Sequence, residues 1–386
     1  MPHDIGAIVA EQTQKRHAIA RSPQIVVIGG GVFGCCAAYQ LAKSGARTTL
    51  VERDGFGAHA SGRNPGNLNP ILGTAPQCLP LALESFRMHE VLQDELAALG
   101  CASYGVEPVR RVLVAYDDAD RDELDNVARL FASADEFSTM RLDANDLQRI
   151  EPRLSGAIRE GLLIEGNRSL DSRAFNLAMS EAAKRAGASV VRAEVQHMNH
   201  RAHTVSSVHT SIGEITCDAV VVATGPWVAQ VNEWLGVALV VEPVKGEMLR
   251  VRLPHGNVTH DYTHGLISLY RRGDDEVWIG VTRERSGFDD APTDRGRRTL
   301  IDGAARILPS IRDAAMIEHL ASLRPMTPSG LPVIGRAPGW KNAFIANGGG
   351  SKGVLLCAGV GIAIRDLVLT GETTVPLNGF APEGVR

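Results

Sequence analysis

Short unbroken apolar runs alternate along this chain with longer stretches in which apolar residues return every three to four positions. The first run, IVVI at residues 25–28, has the β-branched composition of a strand buried on both faces of a parallel sheet. A glycine cluster ends it. VFGCCAAYQLAKS then predicts a helix over residues 32–44, and TTLVE a second strand over residues 48–52. The order returns downstream, where LDSRAFNLAMSEAAKRAG predicts a helix with Phe175, Leu177, Ala178, Ala182 and Ala183 at its apolar positions, closed by Gly187 before a strand through Val190 and Val191. TVSSVHTS and CDAVVVATGPW read as further strands. The second is a buried run delivering Thr224, Gly225 and Pro226 at its carboxyl end. LALESFRMHEVLQDELAALG, with Met88, Leu92, Leu96 and Leu99 on one face, and RDELDNVARLF predict amphipathic helices. VLLCAGVGIAIRDLVL is apolar and helix-compatible. No run reaches the length of about eighteen apolar residues that a bilayer-spanning helix needs.

The glycines after the first strand carry chemistry. Gly29, Gly31 and Gly34 fit G-x-G-x-x-G. The first permits a tight turn, the second lets a pyrophosphate approach the backbone, and the third lets the helix pack closely on the strand. That helix aims free N–H groups and the positive end of its dipole at the phosphates. Glu52 closes the second strand eighteen residues past Gly34, where a carboxylate can accept hydrogen bonds from the ribose of an adenosine. Strand, glycines, helix, strand and acid in this order indicate a dinucleotide site, without separating FAD from NAD. The next stretch, GFGAHASGRNPGNLNPILG, leaves the strand–helix alternation of a nicotinamide domain. Its Ser61, Asn64 and Asn67 can line a diphosphate and a flexible ring-bearing chain, although taken alone it also reads as a solvated loop.

Composition narrows the class. With 386 residues, 44% apolar and 5% aromatic, and 40 glycines, the chain reads as an α/β globular enzyme of two domains or one large unit. Its 40 Lys and Arg against 44 Asp and Glu leave a net charge of −4, so no nucleic-acid partner is expected. Cys35, Cys36, Cys78, Cys101, Cys217 and Cys357 form no C-x-x-C and are expected as reduced thiols in a cytoplasmic protein, with peripheral contact at the inner membrane left open. Vicinal Cys35 and Cys36 read as small packing residues. His197, His200, His203 and His209 read as a solvated hairpin, since no metal-binding partner accompanies them, and no metal is expected. Residues 1–22 lack the apolar core of a secretory signal and read as an extension before the fold.

In order along the chain, IVVIGGGVFG with Glu52, ASGRNPGN, LQRIEPRLS, VVVATGPW, IGVTRERSGFD, LRPMTPSGLPVIG and ANGGGSKGVLLCAGVG resemble the D-amino acid oxidase/glycine oxidase superfamily of FAD-dependent amine oxidoreductases. The resemblance covers nearly everything from Gln24 onward. It implies an α/β fold with a discontinuous Rossmann-like FAD-binding domain, residues 23–90, 140–225 and 320–386, and a smaller α+β substrate domain built on an antiparallel sheet, residues 91–139 and 226–319. It implies FAD held by Gly29, Gly31, Val32, Phe33, Gly34, Glu52, Arg53, Ser61, Gly62, Arg63, Asn64, Gly66, Asn67, Val195, Thr224, Gly225 and Trp227, and by Gly349, Gly350, Ser351, Lys352 and Gly353 ahead of the last helix. The N-terminus of that helix would face the flavin's pyrimidine edge, which is negative when reduced. Lys352 either adds charge there or is solvated.

The resemblance also implies that Arg324, in LRPMTP, holds a substrate carboxylate, a partner that guanidinium geometry suits; an internal salt bridge is the alternative. An anchored carboxylate lets the α C–H face the flavin for hydride transfer, giving an imine that hydrolyses to a keto acid and an amine. Two departures bear on the substrate. Ser351 stands where relatives often carry a second Arg, and Ile267 or Ser268 where they carry a Tyr or His, with Tyr262, His264 and Tyr270 nearby. Arg324, Lys352, Ser268 and Tyr270 are therefore the candidate catalytic residues. A bulkier D-amino acid or an N-substituted amino acid, opine-like secondary amines included, is expected rather than glycine. The cysteine that links FAD in sarcosine oxidase-like relatives is absent and His59 only echoes a histidyl link, so FAD is expected to be non-covalent. The electron acceptor is O2, a quinone or a protein. The alternative is the FAD-carrying subunit of a multi-subunit dye-linked opine- or proline-type dehydrogenase, and a homo- or hetero-oligomer stays open. An NAD-only enzyme and an inactive nucleotide-binding scaffold are the remaining rivals.

Overall fold

The computed structural model describes residues 22–382, so all of the N-terminal extension except Ser22 lies outside the described residues. A six-stranded sheet runs in the order Val333–Arg336, Ala343–Asn347, Ala219–Val222, Gln24–Ile28, Arg47–Glu52, Ser189–Arg192. Its strands are parallel except for the hairpin of the first two. The central run IVVI is apolar throughout because each face is covered by something different. Ile25 and Val27 pack with the helices Val32–Lys43, Ser172–Arg185 and Gly353–Leu369. Val26 and Ile28 face a three-stranded antiparallel sheet of Val195–Arg201, Thr204–Thr210 and Gly213–Thr216. Alternate side chains of one strand thus enter two cores.

Gly353–Leu369 approaches Val32–Lys43 and the helix Leu79–Ala98 closely because the contact residues are small. A Cβ on Gly361 would stand 2.8 Å from that of Cys36, and one on Gly359 would stand 2.5 Å from Ser85 Oγ on the helix Leu79–Ala98. Cys35 and Cys36 are buried in this packing, which pushes both thiols up. His89, on Leu79–Ala98, places Nε2 2.9 Å from the Val354 carbonyl and 3.1 Å from that of Leu355. Burial pushes its imidazole down to about 4. Below the ordinary value near 6.5 the unfolded chain takes up a proton that the folded chain refuses until about pH 4. We therefore expect stability to be full above pH 6.5 and to fall by about 3 kcal/mol as the pH drops to 4. Denaturant midpoints across that range should show the loss, and His89→Gln should flatten it.

The larger sheet curls through Ala315–Met326, Glu242–Arg252, Glu276–Gly280, Ile267–Arg272, Asp261–His264, Glu107–Ala115, Glu160–Ser169 and Asn67–Leu68, with Ser138–Asp143 also paired to Glu160–Ser169. It is antiparallel save where Asp261–His264 meets Glu107–Ala115. The strands Glu160–Ser169 and Ala315–Met326, and most of Ser138–Asp143, fall mainly in segments read above as FAD-binding, yet their hydrogen bonds run into this sheet. The helix Asp294–Ile307 lies against the sheet, capped by Thr293, whose Oγ1 accepts from the Gly296 N–H at 2.9 Å. The His-rich stretch forms the exposed hairpin of the small sheet, with the His197 and His209 rings stacked at 4.1 Å. Among the described residues no cluster could hold a metal ion, and no helix is long and apolar enough to cross a membrane.

Candidate active site

A cavity of about 1920 Å³, counting its open mouth, lies at the carboxyl ends of the parallel strands and reaches the larger sheet. The glycine loop forms one end. Gly29 has φ +104°, and a Cβ there would stand 2.3 Å from the Ala223 carbonyl oxygen; one on Gly34 would stand 1.8 Å from that of Gly29. Gly31 begins the helix Val32–Lys43 without a side-chain cap of its own, and the Val32 N–H donates to Ser61 Oγ at 3.0 Å. Three backbone donors hold the Glu52 carboxylate. The Gly30 N–H reaches Oε2 at 2.6 Å, while those of Asp54 and Gly55 reach Oε1 at 2.7 and 3.0 Å. Each carboxylate oxygen keeps acceptor capacity for a ribose.

The loop after Glu52 is shaped by its own side chains. Asn64 Nδ2 donates to the carbonyls of Ala60 and Ser61, and its Oδ1 accepts from the Gly66 N–H. Gly62 and Gly66 let the loop close, since a Cβ on either would stand 2.2 Å from the Gly57 carbonyl oxygen or 1.8 Å from that of Leu170. Gly34, Gly62 and Gly66 therefore shape the walls without lining the cavity, whereas Gly29, Gly31, Val32, Phe33, Ser61, Asn64, Val195 and Gly225 line it. Arg53 lies over the Trp227 ring at 5.5 Å, and His59 pairs with Asp54 at 2.7 Å and packs on Trp227. Arg63 sends Nη1 to Asp290 at 3.2 Å and to the Ala321 carbonyl at 3.3 Å. Asn67 Oδ1, Thr224 Oγ1 and Asn347 Nδ2 belong to lining residues, are buried, and have no hydrogen-bond partner among the described residues. Buried polar groups are almost always satisfied, so these three are free to bond a ligand in the cavity. With the phosphate cradle and Glu52 they fit FAD.

At the far end, Gly349, Gly350, Ser351 and Gly353 line the cavity beside the N-terminus of Gly353–Leu369, which has no side-chain cap. Lys352 is half-buried and lines the cavity as well. Its Nζ donates to the carbonyls of Asn69 at 2.9 Å and Leu72 at 2.7 Å, and burial pulls the amine down to about 8. It ties the last helix to the loop that follows Asn67–Leu68. Tyr270 lines the cavity, with Arg111 and Arg272 over its ring at 5.4 and 5.5 Å. Ser268 is not brought to the cavity, because it is buried with its hydroxyl 2.9 Å from that of Thr263. Arg324 lines the cavity with its guanidinium laid against Gly246, where a Cβ would stand 2.1 Å from Nη2. Its Nη1 donates to the Thr282 carbonyl at 3.3 Å, and among the described residues no carboxylate pairs with it. Burial first, and the Arg283 charge second, lower this guanidinium to about 10.

Three features of the site escape the sequence reading. Asn347 stands beside glycines that were recognised, Asn69 offers its carbonyl to Lys352 while its side chain accepts from the Ile71 and Leu72 N–H groups and donates to Asn167, and Gly246 lies inside the strand Glu242–Arg252. A glycine inside a strand marks a close approach of another group. That was the available signal for Gly246.

A glycine cradle with a fixed carboxylate at one end and, at the other, a half-buried guanidinium with no carboxylate partner among the described residues fits an FAD-binding oxidoreductase. The chain belongs to the DAO family of FAD dependent oxidoreductases, whose pattern matches residues 24–367. It is 28% identical to the glycine oxidase of Geobacillus kaustophilus over 92% of this chain and 96% of the relative, and the crystal structure of a glycine oxidase from that organism superimposes with a TM-score of 0.87 at 27% identity, over 93% and 98% of the two chains. The D-amino acid dehydrogenase of Vibrio atlanticus is 26% identical over 89% of this chain and 95% of its own length. Iminodiacetate oxidase from Chelativorans sp. BNC1 superimposes with a TM-score of 0.84 at 28% identity, over 93% and 98% of the two chains.

Proposed function

We propose that this FAD-dependent oxidoreductase oxidises the C–N bond of a D-amino acid or an N-substituted amino acid. The carrying observation is Arg324, a half-buried guanidinium on the cavity wall that no carboxylate neutralises among the described residues. A substrate carboxylate is the partner its geometry and burial call for. Bound FAD supplies a hydride acceptor, leaving the substrate as an imine that water hydrolyses to a keto acid and an amine. Arg324 would hold the carboxylate, Gly246 leaves the room for its guanidinium, and Tyr270 walls the same end. The uncapped start of Gly353–Leu369 places free N–H groups where negative charge is favoured. The relatives named above act on amino acids or an imino acid by their names, which agrees with this chemistry.

Anaerobic titration of the yellow protein with D-, L- and N-alkyl amino acids tests the proposal, following the flavin absorbance near ~450 nm. We expect bleaching by at least one D- or N-substituted amino acid. Failure of every amine to bleach the cofactor would end the proposal. Peroxide on readmitting air would assign oxygen as acceptor, and its absence would point to a quinone or a protein.

A further inference from the structure

Near the Arg324 end of the cavity, outside its lining, stands a second guanidinium with no ion-pair partner among the described residues. Glu284 bridges Lys245 in an antiparallel pair, and residues so paired share a face. Arg283, one position earlier, therefore points to the opposite face, that of Gly246 and Met248, where the Arg324 guanidinium lies. Arg324 feels its charge. The nearby acids are engaged elsewhere: Asp289 with Lys245 at 3.3 Å, Asp290 with Arg63 at 3.2 Å, and Glu242 with Arg285 at 3.5 Å. Arg283 is exposed and enters no ion pair among the described residues. Two like charges on one face, one half-buried and one exposed, disfavour each other, and a ligand with matching negative groups relieves this.

We infer that Arg283 forms a second anion-binding subsite beside Arg324, and that the substrate is an amine carrying two carboxylates, one held by each arginine. The Arg324 carboxylate is the deeper one, and the Arg283 carboxylate sits toward solvent. Two kinds of amine share this chemistry, an N-carboxyalkyl amino acid and a D-amino dicarboxylic acid. The inference rests on the proposed amine oxidation for the bond that is broken, but the binding it describes can be measured separately.

Calorimetric titration of the FAD-loaded protein with unreactive malonate, succinate and glutarate against acetate and propionate measures that binding. We expect the best dicarboxylate to bind roughly 3- to 5-fold more tightly than the monocarboxylates at low salt, in line with the value of a solvent-exposed charge pair. In Arg283→Gln that ratio should collapse toward one, and Arg283→Lys should restore part of it. Equal affinities in the parent protein, as when both guanidinium groups grip one carboxylate, or a ratio unchanged in Arg283→Gln, overturn the inference. Anaerobic kinetics with iminodiacetate and D-glutamate then separate the two sources. If D-alanine or glycine matches both in kcat/KM, the subsite fails while amine oxidation stands. If no amine is oxidised although dicarboxylates bind through Arg283, amine oxidation fails and the subsite stands.

Discussion

Gly34→Ala is expected to yield a protein that purifies without colour. The new Cβ would stand 1.8 Å from the Gly29 carbonyl oxygen and 3.0 Å from its carbon, a clash with backbone that no side-chain rotation relieves. Either the helix Val32–Lys43 moves off the strand Gln24–Ile28 or the turn at Gly29 opens. Gly29 cannot yield easily, because its φ of +104° and its own tight approach to Ala223 already constrain it. Both movements take N–H donors away from the phosphates. Overpacking of this kind costs about 1–3 kcal/mol in a core, and here most of it falls on cofactor binding, so FAD affinity should drop by roughly 10- to 100-fold or more. The absorbance ratio of flavin to protein and a fluorescence titration with FAD read the effect. Gly156→Ala, which puts its Cβ in open space, should keep full colour. A yellow Gly34→Ala protein with parental affinity would show that the cradle does not hold the cofactor.

Arg324→Met should keep FAD and lose most of its turnover of carboxylate-bearing amines. Removing one partner of a buried charge pair costs about 2–5 kcal/mol, so kcat/KM should fall from roughly 30-fold to several thousand-fold. Methionine fills much of the vacated volume, so packing loss is kept small. Gly246→Ala should act in the same direction without touching the arginine, since its Cβ would occupy the space 2.1–2.4 Å from three guanidinium atoms. Amines without a carboxylate should be affected far less by either change. Parental kinetics in both variants would remove Arg324 from the site.

Local order was legible wherever covalent spacing sets geometry. The strand, the glycine turn, the helix and Glu52 could be placed from residues that lie within thirty positions of one another, and they stand where the structure has them. Lys352 shows where that legibility ends. Its position ahead of an apolar helix suggested charge near a ligand or exposure to water; it lines the cavity, but that its amine also bonds two carbonyls some 280 residues earlier could not be read locally. Ser268 and Tyr270 are two residues apart on one strand and were equally plausible. The structure separates them because Thr263, across the hairpin, takes up the Ser268 hydroxyl.

The amino-acid sequence by itself determined the dinucleotide cradle, the α/β class and the resemblance that points to FAD, because each depends on short-range spacing and on apolar runs whose period is set by the backbone. It also supplied Arg324 as a candidate. Only the tertiary structure decided that no acid stands beside Arg324 among the described residues, that Gly246 makes room for its guanidinium from 78 residues away, and that the segment carrying Arg283 pairs alongside Lys245. Those facts depend on strand register and on which neighbours desolvate a charge. Both arise from contacts between segments distant in the chain, and no local pattern encodes them.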